Sequence, residues 1–514
     1  MAIYDKIGRA VNSTDSISTQ HPEYQDRVND WRQMRDTWAG QRAVKARTIQ
    51  YLPATAGMIQ DGMSAGGKGL QAYNAYLVRA LFHSFVSDAV DTAMGMLWNK
   101  PPTFEIPSEM EYLKSKATTG GENILQLLRS INRQQLITGR LGLLTDISSD
   151  AAYGQPLPYI ATYYTERIIN WDAGFEGDST YERTKLVVLD ESGPRRTGDF
   201  GWETVEQYRV LRLDPQSGQY TYGVFSDVSD NRANFDPTAM RPVVVRGEPF
   251  RHIPWVFVNA NSTLSCTVDP PLLGLSDLSL AIYRLEADYR QALYMQTQDT
   301  LFTKGFNQNN EIPIRIGAGG HIHAPTKDGD AKWIGVTSEG LPELRTAREN
   351  DLKLANSKAG ELMDASSRAR ESGTALEMRI GSKTATLNEI AITGGEGLQR
   401  ALRDVATFMG VKNIESIIVK PNFEFASREF AAMDFKNLVE AKMLGAPFSW
   451  EALHKWSVER GGPGKDLSFE QMMKQIEEEG VLDDVLAPKI TPKEQAELDL
   501  HQQEIDQPAP TGSE

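Results

Sequence analysis

A glycine-rich stretch at residues 62–69 comes closest to a known chemical motif. Gly62-Met-Ser-Ala-Gly-Gly-Lys68 matches the phosphate-binding pattern G-x-x-x-x-G-K-[ST] except at its last position, where Gly69 replaces the hydroxyl residue that binds Mg²⁺. Such a loop directly follows a buried strand, yet residues 53–61 intervene after Thr48-Ile-Gln-Tyr-Leu52. Two interpretations stay open: a nucleotide-binding site, and a glycine-rich loop before a helix.

The closest histidines in the sequence are His321 and His323. Residues i and i+2 of a strand share one face, so both side chains could contact one metal ion. No acidic third ligand lies at a diagnostic spacing, although Asp328 and Asp330 are near. We therefore expect a histidine pair in a strand or loop, and no metal site.

Other catalytic patterns are missing from the sequence. It contains no H-E-x-x-H, no G-x-S-x-G and no G-x-G-x-x-G after a strand. The acidic residues show no spacing that singles out the clustered carboxylates of a two-metal nuclease. We expect a protein that is not an enzyme, with no catalytic residues and no cofactor.

The polar stretch 366–374 contains Arg368 and Arg370, two positions apart, beside Glu371. It has no large apolar residue, so nothing in it needs to be buried. Arginine side chains contact phosphate without reading base sequence. The alternative is a solvent-exposed turn between two helices whose charges have no special role.

Three long helices are predicted around this stretch from apolar residues at steps of three and four. They are Ser276 to about Thr300, Leu341 to about Ala365, and Ala375 to Met409. The face predicted for the first helix consists of Leu278, Ile282, Leu285, Tyr289 and Leu293. The face predicted for the third consists of Ile380, Leu387, Ala391, Leu398, Leu402, Val405 and Phe408. Glycines at 394, 395 and 397 invite a kink in the third helix.

The rest of the chain predicts a mixed α+β protein. Helices are expected at 70–98 and 122–144, and a β-rich block at 159–260. Residues 414–419 are expected to return to that block as a strand. Short helices are expected at 431–443, 449–460 and 468–479, before a polar, proline-punctuated tail from 487 that composition predicts to be disordered.

The chain is predicted to run in the order helix, β-rich excursion, helix, polar loop and long helix. This order resembles the centre of tailed-bacteriophage portal proteins, and the sequence also resembles a portal-like family of tailed phages. The resemblance covers most of residues 51–480 through loose patterns. The stretches that carry it are Tyr76–Phe82, Met96–Pro102, Thr138–Asp146, Pro270–Arg284, Ala287–Tyr289, Gly329–Trp333 and Ala385–Leu387.

The resemblance implies a portal fold with wing, stem, clip and crown and a long kinked tunnel helix. Its predicted regions are a wing at 1–274, stem helix one at 275–300, a clip at 301–337, stem helix two at 338–365, a tunnel loop at 366–374, a kinked tunnel helix at 375–410, a return to the wing at 411–430, a crown at 431–486 and the tail at 487–514. Trp333, Ile314 and Ile316 are then expected at the clip interface, and Arg368 and Arg370 in the DNA channel.

The function that the resemblance implies is a ring of roughly twelve subunits at one capsid vertex, through which DNA is packaged, retained and ejected. The expected partners are further copies of the chain, double-stranded viral DNA, a terminase, a major capsid or scaffolding protein and a head–tail adaptor. The expected location is the virion, and the host cytoplasm during assembly. The alternatives are a phosphate-binding NTPase that uses residues 62–68, and a virion scaffold or connector without a channel.

The composition of the chain is compatible with a DNA-channel protein. The 514 residues carry a net charge of −15 at pH 7, the wrong sign for a protein that reads DNA sequence through a basic footprint. A channel in which DNA slides benefits from walls that hold it weakly. Cys266 is the single cysteine, so no intrachain disulfide can form. No apolar run of roughly 18 residues occurs, so no membrane partner is expected.

Overall fold

The computed structural model describes residues 16–147, 157–174, 182–226, 235, 237–297, 300–304, 330–334, 340–363, 373–423, 432–459, 462 and 467–478. These residues form a mixed α+β fold that divides into two compact units, Met1–Phe425 and Ala426–Glu514. The described α-helices are α1 (Pro22–Ala39), α2 (Gln41–Ala46), α3 (Ala56–Gln60), α4 (Lys68–Arg79), α5 (Phe85–Leu97), α6 (Ile124–Thr138), α7 (Leu273–Gln296), α8 (Leu341–Met363), α9 (Gly373–Met409), α10 (Ala432–Met443), α11 (Trp450–Glu459) and α12 (Phe469–Glu478).

The described strands pair antiparallel throughout, in six small sheets. They are β1 (Thr103–Glu105), β2 (Arg140–Ile147), β3 (Pro158–Tyr164), β4 (Ile168–Gly174), β5 (Arg183–Asp190), β6 (Gly193–Thr197), β7 (Gly201–Val205), β8 (Gln207–Leu213), β9 (Tyr220–Ser226), β10 (Arg241–Pro242), β11 (Val244–Val245), β12 (Glu248–Pro249), β13 (Trp255–Asn259), β14 (Thr300–Lys304), β15 (Asp330–Ile334) and β16 (Ile418–Lys420). The two larger sheets have the strand orders β13-β2-β3 and β10-β9-β8-β5-β4.

The three-stranded sheet is covered on both faces. On one face its apolar residues share a core with α6 and α9, and on the other with α1 and the five-stranded sheet. Residues 140–145 of β2 are accordingly all buried, as expected for a strand between two layers. Gly142 allows the close fit, because a Cβ at this position would lie 2.1 Å from the Trp255 ring.

Helix α6 is delimited by local sequence signals. Asn123 caps its start, accepting from the amide of Gln126, whose side chain accepts from the Asn123 amide in return. Gly139 ends it with φ of 75°, a left-handed conformation that glycine adopts at little cost. The chain then turns directly into β2.

The single helix predicted at 70–98 is wrong, because α4 and α5 are separate helices. Between them Phe82 is buried against Tyr283, with ring centroids 5.9 Å apart, and its amide donates to the Gln41 side chain at 3.2 Å. An amide that bonds to another segment does not bond within a helix. Tertiary packing therefore overrides the helical apolar spacing of this stretch.

The strand predicted to return to the β-rich block pairs elsewhere. Residues 418–420 form β16, which pairs with β1, and residues 414–416 form a 3₁₀ turn. Val419 lies in the core shared with α6 and α9, so β16 covers that side of α9. A strand of three residues carries no periodicity that could identify its partner.

The second unit contains α10, α11 and α12, within one or two residues of the short helices predicted there. Phe435 on α10 stacks on Trp456 of α11, with ring centroids 6.0 Å apart. His454 of α11 and Phe469 of α12 lie 5.7 Å apart by the same measure. Aromatic contacts thus join these three helices.

Candidate functional site

The residues predicted for the clip and the DNA channel fall in the segment from α7 to α9, of which the structure describes the helices and two strands. Helices α7 and α8 pack against each other, and the antiparallel strands β14 and β15 lie between them in the sequence. The first half of α7 is buried against α1, α4 and α5, whereas residues 288–296 are partly or fully exposed. In α8, Ala355 and Ala359 are the buried residues among 341–359. The α7–α8 pair is therefore buried among other helices of the first unit at one end and largely exposed at the other.

The buried face of α7 differs from the predicted one. Of the five apolar residues predicted to share that face, only Ile282 is buried. Ser279, Tyr283 and Glu286 are buried instead, because α7 is enclosed by several helices and not by one. The predicted face for α9 is confirmed for Leu387, Ala391, Leu398, Leu402, Val405 and Phe408.

A carboxylate joins the two helices of the pair. The Glu286 side chain is 1% exposed and accepts from Arg290 Nε at 2.5 Å on α7 and from Arg348 Nη1 at 3.1 Å on α8. The Arg348 guanidinium also lies 4.7 Å from the centroid of the Tyr289 ring. Two arginines and a ring thus compensate the burial of one charge.

Helix α4 holds the less buried half of α7. The Tyr76 hydroxyl donates to Asp288 at 2.5 Å, and Arg79 donates to Gln291 while its guanidinium lies 4.0 Å from the Tyr294 ring centroid. Burial, and then the hydrogen bond to Asp288, raise the pKa of Tyr76 above its usual range. The tyrosine stays a neutral donor at physiological pH.

Helix α9 packs against α6 and β13 through close backbone approach and buried polar contacts. A Cβ at Gly394 would lie 2.5 Å from Asn132 Nδ2, and one at Gly397 would lie 2.4 Å from Val258. Gln135 Nε2 donates to Thr393 at 2.7 Å and to the Asn259 carbonyl at 2.8 Å. The helix continues through these glycines, which serve close packing; the kink stays a prediction.

Most of the predicted site residues lie outside the described residues. This holds for Arg368 and Arg370, for Ile314 and Ile316, and for His321 and His323. Trp333 is the exception, although only its backbone is described. It lies in β15 opposite Leu301 of β14. The structure therefore positions the segments that flank the clip and tunnel predictions, and these roles stay predictions.

The loop at residues 62–69 lacks the geometry of a phosphate-binding loop. Helix α3 precedes it where the motif needs a strand. The amides of Gly67 and Gly69 donate to the carbonyls of Ser64 and Asp61 instead of pointing to an open site. A Cβ at Gly69 would lie 1.9 Å from the Met58 carbonyl oxygen, so the position that would bind Mg²⁺ admits only glycine.

Within the described ranges no group of three or more His, Cys, Asp or Glu side chains could hold a metal ion. In the same part of the chain no helix is long and apolar enough to cross a bilayer.

Sequence reasoning missed the Glu286 contact. The i, i+4 spacing of Glu286 and Arg290 was visible in the sequence. The partner on α8, 62 residues further along, was not, because it depends on how the two helices pack. Burial of the carboxylate follows from the same packing.

Comparison with known proteins gives a match over this segment. A family model described as a domain of unknown function, DUF4055, matches residues 271–409, which is α7 to the end of α9. No curated protein matches the chain. Among solved structures, the chain is similar to a chain in the neck of a native GTA particle computed with C12 symmetry, with 11% identity and a TM-score of 0.33 over 72% of this chain and 89% of that one.

It is also similar to a chain in the neck of an empty GTA particle computed with C6 symmetry. The identity is 14% and the TM-score 0.34, over 79% of this chain and 93% of that one.

Proposed function

We propose that the chain is a portal-type subunit, which assembles into a closed ring at a capsid vertex and surrounds a DNA channel. The observation that carries the proposal is the α7–α8 pair, which is buried at one end, is separated in sequence by the paired strands β14 and β15, and is followed by the anchored helix α9. This order is that of the stem, clip and tunnel elements in the family that the sequence resembles. The family-model match begins and ends with the same elements.

Uncovered surface on the pair supports assembly. Tyr294, Met295 and Leu354 are each at least 39% exposed, on helices that also expose charged residues. From Leu341 to Gly410 the sequence has ten basic and ten acidic residues, a balance suited to pairing charges across repeated contacts. Copies of one chain in a closed ring would cover such a surface with a single kind of contact.

The proposed ring has further partners at its two ends. The clip, with Trp333, Ile314 and Ile316, would face a terminase during packaging and a head–tail adaptor afterwards. A major capsid or scaffolding protein would surround the ring in the virion, after assembly in the host cytoplasm. The subunit itself would hydrolyse no ATP and need no cofactor, because a separate terminase supplies that activity.

Assembly is the first test. We expect the purified chain to form rings of roughly ten or more subunits with a central pore, because a heterologous contact that closes generates a ring. Native mass spectrometry measures the subunit number, and averaged electron micrographs viewed end-on reveal the pore. Rings without a pore would favour the scaffold or connector alternative. A stable monomer or dimer at every salt concentration would contradict both.

Contact with DNA is the second test, on Arg368 and Arg370. Replacing both with alanine should leave ring formation unchanged but shorten the packaged DNA or increase leakage from filled heads, because each subunit would lose two weak phosphate contacts. The matched control is Lys114→Ala with Lys116→Ala, an exposed pair with the same spacing. Failure of the arginine variant to form rings, or wild-type DNA retention across salt concentrations, would refute the assignment.

A further inference from the structure

The hairpin of β6 and β7 leaves the five-stranded sheet between β5 and β8. Its register runs from Gly193 opposite Val205 to Thr197 opposite Gly201. Gly198 has φ of 65°, and Arg196 donates to the Asp199 carbonyl across the turn. The tip, with Phe200 at its end, therefore has a defined turn conformation.

Two aromatic side chains on this hairpin are largely exposed to solvent. Phe200 is 92% exposed and Trp202 is 68% exposed. Every residue from 194 to 204 is exposed, and Arg195, which donates to the Gln207 side chain of β8 at 2.7 Å, connects this part of the hairpin to the sheet. A two-stranded hairpin is only marginally stable in water, and each aromatic side chain can bury about 150–250 Å² of surface. A partner surface that covered the two rings would therefore bury apolar area that the subunit alone leaves in water.

A recess of about 760 Å³ lies along the same sheet and reaches the end opposite the hairpin. Its described lining includes Leu186, Val188 and Val210, with Lys185, Arg212 and Asp214 among the charged residues. A volume of this size accommodates large side chains.

We propose that the hairpin tip of one subunit binds in this recess of the next subunit, with Phe200 and Trp202 as its anchors. Along β5, at about 3.3 Å per residue, the recess extends from about 7 Å to about 23 Å from the hairpin end. A projection at one end of a sheet and a recess that reaches the other end can pair head to tail, the contact type that generates rings. The inference rests on the ring of the proposed function and names one of its contacts.

Charge favours a protein partner of this kind. Residues 193–205 contain two arginines and two acidic residues, Asp199 and Glu203, so the hairpin is neutral and offers no phosphate-binding patch. The acidic pair complements Arg183, Lys185 and Arg212 of the recess, and the arginines complement Asp172 and Asp214.

Cross-linking between cysteines tests the contact. In a Cys266→Ala background, Asp199→Cys at the tip is combined with Gln216→Cys in the exposed turn next to the recess, and a short bismaleimide is added to the assembled protein. The expected result is a ladder of covalent oligomers up to the full ring on a denaturing gel. Each single-cysteine variant should give no species beyond a dimer.

The matched control replaces Gln216→Cys with Ser108→Cys, an exposed position on a 3₁₀ helix, and should also stop at dimers. Rings without the ladder, an equal ladder from the control, or a link within one chain would overturn the contact while leaving the ring intact. Absence of rings would overturn the proposed function as well.

Trp202→Ala gives an independent measurement. Truncation of a buried tryptophan anchor should raise the subunit dissociation constant by about 30-fold or more. Ile59→Ala, at a residue that is 61% exposed on α3, should change it by less than about twofold. Equal effects of the two variants would contradict the role of Trp202.

Discussion

Gly69→Ser is expected to lower the free energy of unfolding by about 3 kcal/mol and to create no nucleotide binding, although it completes the pattern G-x-x-x-x-G-K-S. The new Cβ would lie 1.9 Å from the Met58 carbonyl oxygen and 2.8 Å from that of Gly62. Both contacts are with backbone, which cannot turn away as a side chain does. The hydroxyl would therefore be added at the cost of the loop conformation.

Stability of Gly69→Ser is measured from the midpoint of urea unfolding by tryptophan fluorescence, and binding by calorimetry with MgATP. Ala65→Ser is the matched control, because it adds a hydroxyl at an exposed position of the same loop. The control should unfold as the wild type does. Wild-type stability of Gly69→Ser together with MgATP binding would revive the NTPase alternative.

The sequence predicted elements whose signal is local. Apolar spacing located α8 and α9 within about two residues, and the bounds of α10 to α12 equally well. The β-rich block was also recognised, because its strands are separated by turn residues. In each case the element is long enough, or its flanking residues distinct enough, to be identified without knowledge of its neighbours.

Elements whose form depends on distant residues were not predictable. The break between α4 and α5 is set by Gln41 and Tyr283 around Phe82, and the partner of β16 is a three-residue strand more than 300 positions earlier. The β6–β7 hairpin was missed because an exposed hairpin has no buried face and hence no apolar alternation.

The same division applies to the candidate site. Its helices could be predicted from their apolar periodicity, but the buried carboxylate between α7 and α8 could not. The prediction for α7 assumed one apolar face against a single neighbour. Enclosure by α1, α4, α5 and α8 buries polar residues such as Glu286 that a simple stripe would place in solvent. The consequence can be tested on that carboxylate.

Glu286→Ala is expected to destabilise the α7–α8 pair by about 3 kcal/mol, because it removes the shared acceptor and leaves two arginines without it. Arg348 is the more affected partner, since its side chain is 24% exposed and belongs to the other helix. Local opening should follow in α8, which has few buried apolar residues to hold it. Hydrogen–deuterium exchange of residues 341–359 should therefore accelerate, while exchange in β2 stays at the wild-type rate.

Glu349→Ala is the matched control for this experiment. Glu349 accepts from Arg345 at 2.9 Å on the same helix, and this arginine lowers the pKa of the Glu349 carboxyl. Both side chains are exposed, so solvent already screens the pair and its loss should leave exchange in α8 unchanged. Glu286→Gln, which keeps the size but not the charge, should fall between the two. If Glu286→Ala left α8 protected as in the wild type, or if Glu349→Ala opened it equally, helix packing alone would hold the pair and the buried carboxylate would have no special role.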